Sequence, residues 1–144
     1  MSREASSDAS MREILERCRT IAVIGIKSGA DDDAFRVPHY MQRHGYRIVP
    51  VSPKLETVLG ERCVASLAGI RESIDLVDVF RAPQHLPGHV DEILALEPLP
   101  FAVWFQLGIR HDESAARLRA AGIRVVQDAC LMVEHARLAG RPHP

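Results

Sequence analysis

The sequence predicts an α/β protein: a doubly wound, five-stranded parallel sheet with helices on both faces. Three observations carry this. Short strand-like apolar runs recur five times along the 144 residues, the first of them rich in β-branched residues. The first of them is continuously apolar rather than alternating, as in strands covered on both faces. Helical patterns separate most of them, and such alternation belongs to parallel sheets joined by crossover helices.

The elements follow in chain order. Ser10 followed by Glu13 reads as a capping box opening a helix over 11–18, with Ile14, Leu15 and Cys18 on its apolar face. The first strand covers 21–24 and runs into a loop over 25–33. The next helix ends at His44, with Gly45 as its C-terminal cap. Pro38 lies inside that helix and is tolerable only near a first turn, which puts the helix start near Phe35. Further strands fall at 48–51, 76–80, 101–105 and 123–126. Helices cover 86–96, then 113–121 between an Asp112 cap and Gly122, and finally 130–138. The stretch 55–73 reads as loop with short helical turns. Together these describe a Rossmann-like domain over 11–138, with 1–10 and 139–144 as flexible ends.

Composition narrows the partners. A formal net charge of −1 creates no overall field for nucleic acid or an anionic membrane. No apolar run approaches the roughly 18 residues of a membrane span, and the polar first ten residues carry no secretory signal. Cys18, Cys63 and Cys130 are odd in number and lack close metal-type spacing, which favours free thiols in a reducing cytoplasm. His85 and His89 have helical i, i+4 spacing, but Pro87 and Gly88 intervene and no carboxylate completes a ligand pattern, so they read as helix-entry surface rather than a metal site. No nucleophile elbow is present.

In such a sheet, ligands bind outside the carboxyl ends of the strands, where strand order reverses. After the first strand come Gly25, Ile26, Lys27, Ser28 and Gly29. Both glycines let the backbone turn sharply and approach a ligand. Amides there and at the next helix's N-terminus can cradle a phosphate. The same glycine spacing also suits a strand-to-helix turn with no ligand. After the second strand come Ser52, Pro53 and Lys54, where an NAD enzyme would carry an acidic residue for the ribose 2′-hydroxyl. This end suits a nucleotide with an extra phosphate. Lys54 is otherwise a solvated surface lysine. Arg81, beside Phe80 and Pro83, suits bidentate phosphate binding or a surface salt bridge. Gln106, near Gly108, meets a ligand or fixes a loop, and Trp104 reads as core. Cys130 opens the last helix, where a thiol becomes reactive or serves as a small buried hydrophobe.

In order along the chain, Ile21-Ala-Val-Ile-Gly25, Gly45-Tyr-Arg-Ile-Val-Pro-Val-Ser-Pro53, Leu59-Gly-Glu61, Asp75-Leu-Val-Asp-Val-Phe-Arg81, Val103-Trp-Phe-Gln-Leu-Gly-Ile109, Ala121-Gly-Ile123, and Cys130 with Glu134-His-Ala-Arg137 resemble the small stand-alone bacterial CoA-binding proteins. Their fold is similar to the N-terminal domain of the succinyl-CoA synthetase alpha subunit. The resemblance spans about 11–138. It implies coenzyme A, or an acyl-CoA, bound across the strand ends. Gly25, Ile26, Lys27 and Ser28 would hold the pyrophosphate. Pro53 and Lys54 would lie by the 3′-phosphoadenosine, next to Ser52. Phe80, Arg81 and Pro83 would line the nucleotide, and Gln106 and Gly108 the pantetheine. Cys130 completes the set. Two positions depart from the family pattern: Ala129 stands where arginine is frequent, and Ser52 where asparagine is frequent.

The leading expectation is a cytoplasmic CoA-binding carrier, sensor or regulatory module. It reads as a binding protein rather than an enzyme, since no catalytic constellation is evident. Two alternatives stand beside it: an NADP-binding oxidoreductase-like protein with Lys54 on the 2′-phosphate, and a redox-regulatory protein using Cys130.

Overall fold

The computed structural model describes residues 7–138. In chain order it has α1 (Asp8–Arg17), β1 (Thr20–Ile24), α2 (Asp33–Arg43), β2 (Arg47–Val51), β3 (Thr57–Val58), β4 (Glu61–Arg62), β5 (Leu76–Val79), α3 (Leu86–Leu94), β6 (Ala102–Phe105), α4 (Asp112–Ala120), β7 (Arg124–Val126) and α5 (Leu131–Leu138). Five strands form one parallel sheet in the order β2-β1-β5-β6-β7, as the alternation predicted.

The apolar runs divide between the two faces with the period of two that a pleated strand imposes. Ile21, Val23, Leu76, Ala102 and Trp104 pack under α1, α2 and α5. Ala22, Ile24, Val77, Val79, Val103 and Phe105 pack under α3 and α4. At the amino edge, the Asp75 carboxylate accepts the N–H groups of Arg19 (2.8 Å) and Thr20 (3.0 Å). Its carbonyl accepts those of Phe101 and Ala102, so one residue ties together the starts of β1, β5 and β6. Pro50 is accommodated because it faces the outer edge of β2, where its carbonyl accepts the N–H of Val64 and no ladder needs its missing donor.

Several boundaries differ from expectation. Helix α1 begins at Asp8, and Ser7 rather than Ser10 caps it, accepting from the Ser10 N–H. Positions 8–10 are therefore the first turn of a helix rather than part of a flexible end. Positions 1–6 and 139–144 lie outside the described residues. Helix α2 starts at Asp33 with Asp32 as cap, so Pro38 falls inside the helix rather than in its first turn. His111, not Asp112, caps α4 through its Nδ1. Within 55–73 the chain forms the β3–β4 hairpin and a 3₁₀ turn at Leu67–Gly69.

Candidate functional site

Strand order reverses between β1 and β5: the chain leaves β1 for β2 on one side and reaches β5 on the other. A cleft of about 320 Å³ opens there, at the carboxyl ends of β1, β2 and β5. It is where a ligand is expected in an open parallel sheet. A larger groove of about 570 Å³ includes Ser73 and Ile74 before β5 and Glu97 and Pro98 before β6. These residues stand at the opposite, amino end of the strands.

Gly25 ends β1 with φ +84°, and its N–H donates to the Val51 carbonyl (3.3 Å). A Cβ at this position would stand 2.4 Å from the Phe80 carbonyl oxygen. The Phe80 carbonyl just after β5 is thus enough to require the glycine. Gly29 has open space around it and does not line the cleft. The Lys27 N–H donates to the Ala34 carbonyl (3.3 Å). The amides of Ile26, Ser28 and Gly29 have no acceptor among the described residues.

The α2 N-terminus is a different matter. The Asp32 side chain already accepts the Ala34 N–H (2.9 Å), and Asp31 and Asp33 flank it. Asp33 pairs with Arg36 (2.8 Å), but with the Asp32 cap and Asp31 beside it this helix end is a poor place for an anion.

On the second strand end, buried Ser52 accepts the N–H groups of Lys54 and Leu55, each at 3.1 Å. This turn orders the backbone and leaves Pro53 and Lys54 exposed on the cleft wall. Across from it, Arg81 lies beside Gly25, with its Cδ 3.3 Å from the position a Cβ would take. Its buried Nε has no hydrogen-bond partner among the described residues. No carboxylate pairs with Arg81, Lys27 or Lys54 among those residues. Three uncommitted cations therefore surround one small cleft.

Eight of the residues singled out from the sequence thus come together: Gly25, Ile26, Lys27, Ser28, Ser52, Pro53, Lys54 and Arg81. Phe80, Pro83, Gln106, Gly108 and Cys130 lie outside its walls. Phe80 packs against the core beneath α1, α2 and α5, and Pro83 opens the 3₁₀ turn before α3. Gln106 is buried, and its Oε1 accepts the Leu131 N–H (3.2 Å), which satisfies the start of α5. The Gly108 N–H donates to Asp128 Oδ1 (2.7 Å). Cys130 is half-buried immediately before α5. Trp104 is core, with its Nε1 donating to the Ala129 carbonyl (2.9 Å).

Two groups escaped the sequence reading. His89 and Glu92, paired through Nδ1 at 2.9 Å, line the cleft from α3 rather than forming a helix-entry surface. Their signal was position: the first turns of a helix leaving β5 stand over that strand's carboxyl end. The second is Asp78, 1% exposed in the middle of β5, with neither carboxylate oxygen hydrogen-bonded among the described residues. Burial pushes its carboxyl well above the usual carboxylate range. An acidic residue inside an apolar strand was its signal. Among the described residues no group of three or more His, Cys, Asp or Glu is placed to hold a metal ion, and no helix is long and apolar enough to cross a membrane.

Comparison with known proteins adds one deciding observation: the family model described as CoA binding domain matches residues 19–136. The chain belongs to the CoA-binding domain family. Within reach of that family, it is 38% identical over 130 residues to the uncharacterized protein YneT of Bacillus subtilis (strain 168), covering 90% of this chain and 95% of YneT. The structure of cell-free ID.343 from Thermus thermophilus superposes with a TM-score of 0.87 at 45% identity, over 92% of this chain and 99% of that one. The dinucleotide-forming acetyl-coenzyme A synthetase 1 of Ca. Korarchaeum cryptofilum, in complex with phosphate and ADP, gives a TM-score of 0.64 at 14% identity, over 74% of this chain and 25% of that one. That likeness extends the shared fold to a domain of a longer protein.

Proposed function

We propose that the protein binds coenzyme A, or an acyl-CoA, in the cleft at the ends of β1, β2 and β5, and acts as a carrier, sensor or regulatory module without chemistry of its own. The observation that carries this reading is the set of uncommitted donors around the cleft: Lys27, Lys54 and Arg81, with the free amides of Ile26 and Ser28. Coenzyme A presents a pyrophosphate and a 3′-phosphate, and charge-assisted hydrogen bonds to such groups are among the strongest available. In this reading the 25–28 loop and Arg81 take the pyrophosphate. Lys54 takes the 3′-phosphate, with Pro53 against the adenine. The pantetheine leads toward Gln106, Gly108 and Cys130. Gln106 has its Oε1 engaged, which leaves its amide nitrogen for a ligand.

Calorimetric titration with coenzyme A, dephospho-CoA, NADP and NAD tests the assignment. Coenzyme A should bind at least tenfold tighter than dephospho-CoA. Lys54→Ala should erase that difference, since a hydrogen bond to a charged group contributes about 1.5–3 kcal/mol. Equal binding of the two forms, or tight NADP binding without coenzyme A binding, would sink the reading.

A further inference from the structure

The 25–29 loop must hold its shape for its free amides to serve a ligand. Ile26 packs in the same core cluster as Val37 and Met41 of α2. Among the described residues, the one backbone hydrogen bond from the loop to α2 short of Gly29 runs from the Lys27 N–H to the Ala34 carbonyl. That carbonyl is available for a specific reason. Ala34 lies in the first turn of α2, and its ordinary helical donor is the N–H four residues on. Four residues on is Pro38, which has no N–H, and whose ring crowds the carbonyl of residue 34. Both Ala34 and Pro38 are buried, so an unsatisfied carbonyl there would be costly. The Lys27 amide supplies the missing donor.

We infer that Pro38 is a positioning residue for the cleft: by withdrawing the helical donor, it reserves the Ala34 carbonyl for Lys27 and so sets the conformation of the 25–29 loop. The consequence for binding rests on the coenzyme A reading, but the effect on the loop does not. The Gly25 and Lys27 amides are pinned, to Val51 and Ala34, while the amides of Ile26 and Ser28 between and after them have no acceptor among the described residues. A helix-breaking residue that looks like a defect of α2 is thereby part of the loop's architecture.

Pro38→Ala tests this, because it returns an N–H that competes for Ala34. Amide hydrogen exchange followed by NMR should show Lys27 protected in the wild type and at least tenfold less protected in the variant. Coenzyme A affinity should fall about three- to tenfold, the worth of one ordinary hydrogen bond. The melting temperature should stay level or rise, since alanine suits a helix interior far better than proline. A merely structural role would move affinity and stability together. Val37→Ala, at the buried neighbouring position, serves as the control: it should lower stability and leave Lys27 protection unchanged. The inference is overturned if wild-type Lys27 exchanges as fast as Ser28, if Pro38→Ala leaves Lys27 protected, or if protection is lost with affinity unchanged. A wild type that binds no coenzyme A would sink the proposed function, and the exchange comparison would still decide the role of Pro38.

Discussion

Gly25→Ala should be among the most damaging single-methyl additions in the protein, and the structure gives its size. Two costs add. The backbone at Gly25 has φ +84°, and the left-handed region costs an L side chain about 1–2 kcal/mol. The new Cβ would also meet the Phe80 carbonyl oxygen at 2.4 Å, well inside the 3.0 Å below which such contacts are essentially never found. Phe80 cannot easily retreat, because its own N–H is bonded to the Ile24 carbonyl (2.9 Å). Forcing extra volume into a packed site costs about 1–3 kcal/mol. The total of about 2–5 kcal/mol corresponds to a fall in melting temperature of roughly 7–17 °C for a domain of this size. Two other glycines separate the terms. Gly108 has the same φ of +84° but open space, so Gly108→Ala should show the conformational cost alone. Gly29 has neither constraint, and Gly29→Ala should be neutral or slightly stabilising. Thermal unfolding followed by circular dichroism reads all three. If Gly25→Ala is no worse than Gly108→Ala, the close approach of β5 is not what demands the glycine.

Two further predictions concern pH. Asp78 has a folded-state pKa raised above its ordinary 3.8 by burial, so its contribution to stability is fully present below 3.8 and is lost as pH rises toward the folded-state value. Asp78→Val should stabilise the protein by about 1–3 kcal/mol in urea unfolding at pH 7, the usual cost of a buried unpaired polar group, and the gain should shrink below pH 4; a loss of stability at pH 7 would contradict the reading. His135 behaves in the opposite sense. Burial first, and then neighbouring His44, hold its imidazole below 6.5, so stability is present above 6.5 and is lost as pH falls toward the folded-state value. The slope from this one group cannot exceed about 1.4 kcal/mol per pH unit. His135→Asn should reduce the wild-type loss between pH 6.5 and 5, and an unchanged slope would show that other groups carry it. His135 faces Tyr40, Tyr46 and His44, with its Nδ1 2.9 Å from the Tyr40 hydroxyl, so the variant also loses that bond and should be less stable at every pH.

The strands were legible because a sheet covered on both faces leaves a local trace, as Ile21 to Ile24 and Leu76 to Val79 illustrate. Ser52 to Lys54 were legible for the same reason: a polar turn must follow where an apolar strand leaves the core. The caps of α1 and α4 lie three residues and one residue before the expected Ser10 and Asp112, because Ser7 and His111 compete with equally plausible neighbours and only backbone direction decides between them. His89 was assigned to the surface because sequence spacing does not tell which wall of the sheet a helix turn will overlook.

The sequence by itself determined the alternation of strands and helices, the absence of an acidic residue after β2, and the cations available to the strand ends. These are properties of residue type and local order. Tertiary structure decided which of those residues meet. Gly25 is explained by a carbonyl 55 residues away in the chain, at Phe80. The Gln106 Oε1 is taken by the start of α5. Asp32 closes the α2 N-terminus to anions, and Pro38 frees a carbonyl for Lys27. In each case the reason is the same: a backbone group must find a partner, or keep a distance, and that partner is set by packing rather than by neighbours in sequence.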